Sequence, residues 1–148
     1  MEYQQNNLIR KANQNDLDEI KKIAENHKHE LGFIMKPVLA RSIDQGELYV
    51  AIVSNAIIGF LQYHHRRDTQ TTLHNIVVES FYRKSGIGRA LISELEKESS
   101  KRDKEFIQLK CPEDLPANIF YEYIGYKIVA VEDGKNRRLN IWQKPIKN

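Results

Sequence analysis

The chain has one cysteine, Cys111, so no internal disulfide can form and a reducing, cytoplasmic setting is expected. No apolar run approaches the roughly 20 residues that a membrane-spanning helix needs, so no membrane partner is expected. The opening stretch MEYQQNNLIRK lacks the apolar core of a signal peptide. No set of Cys and His has zinc-site spacing, and no metal is expected. Neither sign of charge dominates: the formal net charge is +3, which gives no reason to expect nucleic acid. Repeats, low-complexity tracts and linkers are missing too. What remains is a globular composition, 41% hydrophobic and 29% charged, over 148 residues. That length suits one domain with its own core, so residues 1–148 are read as a single domain.

The most informative stretch is Leu73 to Ile92. The apolar run Ile76-Val77-Val78 reads as a strand. After a short polar turn come Arg83-Lys84-Ser85-Gly86-Ile87-Gly88-Arg89, then Leu91, Ile92 and Leu95 at helical spacing. Strand, glycine loop and helix together suit a phosphate. Glycine lets the backbone come close, and the first amides and the dipole of the helix favour an anion. The Gly-Lys-Ser/Thr of a Walker A loop is absent, as are the third glycine and the acidic residue of a dinucleotide fingerprint.

Elsewhere the patterns alternate between strand and helix. Leu8–Ala12 reads as a strand, and Asp16 as a helix cap with Glu19 at capping-box spacing. Leu17, Ile20, Ile23 and Ala24 form the apolar face of that helix, which ends near His27 to His29. Glu30–Lys36 is a connector, and Pro37 opens a second helix that stops at Gly46. Leu48–Val53, Ala56–His64 and Thr71–Val78 read as a meander, turning at Ser54-Asn55. The loop helix runs from about Gly88 to Arg102 and precedes a strand at Phe106–Lys110. A short helix at Ala117–Ile124 and a hairpin of Tyr126–Val131 with Arg138–Gln143 close the chain. The order β-α-α-β-β-β-α-β-α-β-β implies an α+β fold: a mixed central sheet of about seven strands flanked by about four helices. The terminal hairpin leaves an edge that could pair with a second copy as a homodimer.

The motif Arg-x-x-Gly-x-Gly-Arg-Ala after a strand resembles the acyl-CoA loop of the GCN5-related N-acetyltransferase (GNAT) superfamily. A second segment, Phe120-Tyr121-Glu122-Tyr123-Ile124-Gly125-Tyr126, is similar to that family's other signature. It falls one strand after the loop helix, where the family has it. The element order agrees over nearly the whole chain, although only these two segments carry sharp motifs.

The resemblance implies an N-acetyltransferase that moves an acetyl group from acetyl-CoA to a primary amine by direct attack. Arg83, Lys84, Ser85, Gly86, Ile87, Gly88 and Arg89 would hold the coenzyme A pyrophosphate. The backbone of Ile76, Val77 and Val78 would pair with the pantetheine arm; these residues can equally serve as core. Tyr121 would be the general acid toward the departing thiolate, since a phenol with a reference pKa of ~10 stays protonated at neutral pH. A tyrosine packed in the core and bonded to a carbonyl is an even match for that pattern, and the paired motifs favour the acid. Tyr123 and Tyr126 read as packing residues.

The base stays unassigned. Family carboxylate positions fall on Asn75 and Leu109, neither of which accepts a proton. Glu79 is the nearest carboxylate in sequence and His74 the nearest imidazole, and either could act through water. For Glu79 a solvent-exposed turn residue is the preferred reading. The family's cofactor-contacting asparagine falls on Asp114, and Asn118 on the same short helix would substitute. The acceptor, a small-molecule amine or a peptide or protein amine, would meet Glu30–Lys36 and Tyr63–Asp68. Phe33, Ile34 and Met35 could wall a pocket or cap the core. His64-His65-Arg66-Arg67 could recognise an acidic acceptor or form a solvated loop. Because no carboxylate base is evident, a non-catalytic acyl-CoA-binding sensor on the same fold is the alternative.

Overall fold

The computed structural model describes residues 7–146; the residues before Asn7, and Lys147 and Asn148, lie outside them. Strand β1 is Asn7–Lys11, followed by a 3₁₀ turn, Gln14–Asp16, and helix α1, Leu17–Asn26. A one-turn helix α2, Lys28–Leu31, and helix α3, Lys36–Asp44, come next. Strands β2 (Leu48–Val53), β3 (Ala56–His65) and β4 (Gln70–Val78) lead through a 3₁₀ turn, Ser80–Tyr82, into α4, Ile87–Lys101. Strand β5 (Phe106–Pro112), helix α5 (Ala117–Tyr123) and strands β6 (Lys127–Asp133) and β7 (Arg138–Pro145) complete the chain. Hydrogen-bonded neighbours run β1-β2-β3-β4-β5-β7-β6, a mixed seven-stranded sheet in an α+β fold.

The chain divides into two compact units, Met1–His64 with Asn75–Leu95, and His65–His74 with Glu96–Asn148. In the first, one cluster gathers Ile20, Ile23 and Ala24 of α1, Leu39 and Ile43 of α3, Leu48 and Val50 of β2, Phe60 and Val77. Fully burying each large side chain here contributes about 1.5–3 kcal/mol. The β2–β3 hairpin turns on Ser54 and Asn55, both at positive φ, as a two-residue turn matched to strand twist requires. Gly59 of β3 passes so close to β4 that an added Cβ would lie 2.6 Å from the Val77 carbonyl oxygen.

In the second unit β4 pairs parallel with β5, from Gln70↔Phe106 to Leu73↔Leu109. That register ends there, although β4 continues to Val78 and β5 to Pro112. A parallel partner needs a crossover connection, which α4 supplies. β7 lies antiparallel to both β5 and β6.

Several local expectations change. Asp16 stands at the N-cap position of α1 as expected, but its side chain makes no cap hydrogen bond there; it is the third residue of the preceding 3₁₀ turn, capped by Asn13, and its Oδ2 accepts from the Asn13 amide. The connector contains α2, a fifth helix whose four residues are too few to show a period. Tyr123 is 75% exposed, whereas Tyr126 is 1% exposed. Two residues of helix turn the side chain by about 200°, so Tyr121 and Tyr123 face opposite ways.

Candidate functional site

After Val78 the chain leaves the sheet. The Glu79 amide still donates to the Ile58 carbonyl at 2.8 Å, and the 3₁₀ turn follows. Lys84 then takes φ 65° and Gly86 φ 87°. These two left-handed residues turn the backbone so that α4 starts at Ile87. Nothing lies within 4 Å of a Cβ added to Gly86. Its positive φ favours glycine, and the missing side chain leaves an open approach to the backbone. The first intrahelical bond runs from Ala90 N–H to Gly86 O at 3.0 Å. The amides of Ile87 and Gly88 precede it and lack an intrahelical acceptor. Ser85 donates its hydroxyl to the Tyr82 carbonyl. Lys84 and Arg89 are exposed on this loop, Val77 and Val78 are buried, and Ile76 is half-buried.

Arg83 is occupied within the protein. Its Nε donates to the Val78 carbonyl at 2.8 Å and its Nη2 to Glu30 Oε1 at 3.3 Å. It clamps the loop onto the end of β4 and onto α2.

Glu79 is not a freely solvated turn residue. Its side chain is 34% exposed and its Oε1 lies 2.7 Å from His27 Nε2. His27, the C-cap of α1, is buried, and its Nδ1 lies 3.1 Å from Glu30 Oε1. Burial works against ionisation of Glu30, but the His27 hydrogen bond and Arg83 hold its carboxyl below the usual range. Sequence reasoning placed Glu30 only in the acceptor segment and missed its tie to His27 and Arg83, since no local pattern marks it. Asn75 donates its amide to Gln62 Oε1 at 2.8 Å, and Gln62 in turn donates to Ser42 Oγ at 2.9 Å. His74 is exposed.

In the second unit Tyr121 is 6% exposed. Its ring packs between Tyr126 and Trp142, with centroids 6.3 Å and 6.2 Å away. Among the described residues its hydroxyl has no hydrogen-bond partner, so the carbonyl-bonded reading finds no support. Burial, and secondarily Cys111, push the phenol above its ordinary pKa, so it stays protonated well into the alkaline range. Cys111 is buried as expected, and burial raises its thiol to about 11.

Asn118 is also fully engaged. Its Nδ2 donates to the carbonyls of Pro112 at 2.9 Å and Leu115 at 2.8 Å. Its Oδ1 accepts from Asn140 Nδ2 at 3.0 Å and Trp142 Nε1 at 2.9 Å. These four bonds exhaust the amide, so the side chain fastens β7 to the start of α5 and has nothing left for a cofactor. Asp114 is paired with Arg137 at 2.9 Å.

The expected acceptor segments are partly committed elsewhere. Ile34 is buried in the core, while Phe33 and Met35 are exposed. Lys21 lies over the Phe33 ring, 4.3 Å from its centroid. His64 lies in β3 as expected, with Nδ1 2.8 Å from Glu47; His65 also belongs to β3 rather than to the loop, its side chain buried with Nδ1 2.8 Å from Thr71. Arg66 pairs with Asp68 at 2.8 Å.

Residues 44–128 match the model of the acetyltransferase (GNAT) domain family, more than half of the chain. No curated protein matches by sequence. Three solved structures share the fold. Ard1 from Thermoplasma volcanium is 17% identical with TM-score 0.87, covering 97% of this chain and 99% of its own. The ribosomal-protein-S18-alanine N-acetyltransferase of Escherichia coli is 23% identical with TM-score 0.80, covering 96% and 95%. The putative acetyltransferase yncA from Salmonella typhimurium, solved with its cofactor acetyl-CoA, is 16% identical with TM-score 0.80, covering 96% and 95%. The family match embraces β4, the glycine loop, α4 and Tyr121, and the chain belongs to the GNAT acetyltransferase family.

Proposed function

We propose that the protein is an acetyl-CoA-dependent N-acetyltransferase acting on a primary amine. The observation that carries this reading is the turn from β4 into α4, where Lys84 and Gly86 at positive φ open the backbone ahead of a 15-residue helix. The exposed Lys84 and Arg89 add positive charge there, as a pyrophosphate needs. The β5 register stops at Leu73, which supports pairing of Ile76, Val77 and Val78 with an extended cofactor arm. Related structures that hold acetyl-CoA or coenzyme A support the choice of ligand.

When bound, acetyl-CoA supplies an activated acetyl thioester. Ser85, Gly86, Ile87 and Gly88 would present loop and helix amides to its phosphates, with Arg83 holding the loop in shape. The Tyr121 O–H would donate to the sulfur as the C–S bond breaks. A buried phenol without another acceptor keeps its hydrogen bond available for that moment. The buried thiol of Cys111 fits a reducing, cytoplasmic compartment.

The test follows free thiol while the protein is incubated with acetyl-CoA and a panel of small and peptide amines. We expect thiol release dependent on the amine, and a rise in Tm with acetyl-CoA by mass action. No stabilisation at millimolar acetyl-CoA overturns the reading. The alternative, a non-catalytic acyl-CoA sensor, is favoured by one observation: Asn75 is not a carboxylate and spends its amide on Gln62. Stabilisation without turnover across the panel would select it.

A further inference from the structure

We infer that His27 is a proton-dependent latch on the glycine loop. Its charged ring fastens both the tip of β4 and the glutamate that clamps Arg83, and loss of one proton releases one of the two. The consequence for acetyl-CoA rests on the proposed role of this loop, whereas the latch itself stands without it.

His27 is the joint between α1 and α2. Its amide donates to the Ala24 carbonyl at 3.2 Å and closes α1; its carbonyl accepts the amides of Glu30 and Leu31 at 3.0 Å as α2 begins. The residue is 8% exposed, so packing fixes the ring as well. From that place Nε2 lies 2.7 Å from Glu79 Oε1, just past the end of β4, and Nδ1 lies 3.1 Å from Glu30 Oε1. The same Glu30 oxygen receives Arg83 Nη2 at 3.3 Å, and Arg83 Nε donates to the Val78 carbonyl at 2.8 Å. One ring therefore holds the residue that opens the turn after β4 and the partner of the arginine that opens the glycine loop. All of these residues belong to one compact unit.

The two ring contacts set the proton count. A carboxylate only accepts, and a neutral imidazole has one N–H. Hydrogen bonds to two carboxylates therefore need both ring nitrogens protonated. Burial works against ionisation of Glu30, but the His27 hydrogen bond and Arg83 hold its carboxyl below the usual range, which leaves the second proton on the ring. The charged groups facing His27 are Glu79 from the tip of β4 and Glu30 from α2, with Arg83 of the loop behind Glu30. On the flanking helices Glu25 is turned to Lys21 at 2.7 Å, and Lys28 and His29 are exposed. With the ring charged, two cations balance two carboxylates. Once a proton leaves, a nitrogen lone pair faces a carboxylate oxygen and that contact becomes repulsive. Release of Glu79 unfastens the turn after β4 from the helices; release of Glu30 unfastens the outer bond of Arg83.

The latched form holds one proton more than the released form, so rising pH favours release. The Tyr82 amide still donates to the Glu79 carbonyl at 2.9 Å and the Arg83 amide to the Ser80 carbonyl at 3.2 Å, so the loop loosens rather than unfolds. A loosened loop must be ordered again when phosphates bind, and that cost lowers affinity. Linkage makes the effect reciprocal. A cofactor that prefers the latched loop binds more tightly at low pH and draws a proton from solvent as it binds.

The test compares wild type with His27→Gln, Glu30→Gln and the control His29→Gln from about pH 5 to about pH 9, across the range where histidine side chains change charge. Titration calorimetry with acetyl-CoA, in buffers of different ionisation enthalpy, reads affinity and proton uptake together. Wild type should lose about tenfold more affinity than His27→Gln over that range, and should take up protons on binding that His27→Gln does not. The variant keeps the cofactor's own phosphate titration, so the difference belongs to His27. Glu30→Gln should flatten the profile too, because its amide can donate to a neutral ring, and it carries the test if His27→Gln does not fold. His29→Gln should follow wild type. A wild-type profile in either folded variant overturns the latch. Hydrogen exchange of the ligand-free protein separates this inference from the proposed function. Protection of the Tyr82 and Arg83 amides should fall with rising pH in wild type and stay level in His27→Gln. If acetyl-CoA binds at no pH, the proposed role of the loop fails, and the latch stands or falls on that protection alone.

Discussion

Trp142 donates its indole N–H to the side-chain oxygen of Asn118 at 2.9 Å. The bond joins a buried residue of β7 to helix α5, and it explains why an asparagine stands there. Asn118→Ala should destabilise the protein by about 1–3 kcal/mol, because the indole N–H is left buried without an acceptor. Urea unfolding should show a lower midpoint with an unchanged slope. Any loss of acetyl-CoA affinity should disappear once unfolding is accounted for.

Tyr121→Phe removes a hydroxyl that has no partner among the described residues. Stability should change by less than about 1 kcal/mol. Acetyl-CoA should still raise Tm, while turnover falls roughly 100-fold. Full turnover in the variant would take the acid role from Tyr121.

Gly86 allows two separable tests. Gly86→Ala meets no neighbour, so its cost is the left-handed φ alone, about 1 kcal/mol in unfolding. Gly86→Asp adds a negative charge where a phosphate is proposed, and should weaken acetyl-CoA binding at least ~10-fold by calorimetry. Equal affinity for both variants would remove the phosphate from this loop.

Asp16 gives a pH dependence of stability. Its hydrogen bond from Arg10 holds the carboxyl below the usual value, against burial and with help from the Asn13 amide. A folded-state pKa below the unfolded one adds stability that is full above the unfolded value, near pH ~3.9, and is lost as pH falls through the folded value. Arg10 is partly exposed, so the contribution is about 1 kcal/mol after screening. Denaturant titrations from pH 7 downward should show this decline in the wild type and a flatter curve in Asp16→Asn.

Much of the fold was legible because its signals are local. Helical spacing marked α1 and α4, two-residue turn chemistry marked the β2–β3 hairpin, and Gly86 and Gly88 marked the loop between β4 and α4. Element ends moved by a residue or two. Strand β5 runs through Cys111 and Pro112, past the end expected at Lys110, because Cys111↔Asn140 and Pro112↔Leu139 pairing with β7 extends it. Exposure of Tyr123 was readable from helix geometry, but the aromatic cluster FYEY masked it.

The sequence by itself determined the order of elements, the glycine loop and the second motif, since periodicity, φ preference and capping depend on neighbours within a few residues. Only the tertiary structure decided which polar groups are spent and which stay available. His27 and Glu79 stand 52 residues apart, and Asn118 is filled by partners 22 and 24 residues away. A hydrogen bond depends on distance and direction in space, and no spacing along the chain encodes that for residues brought together by packing.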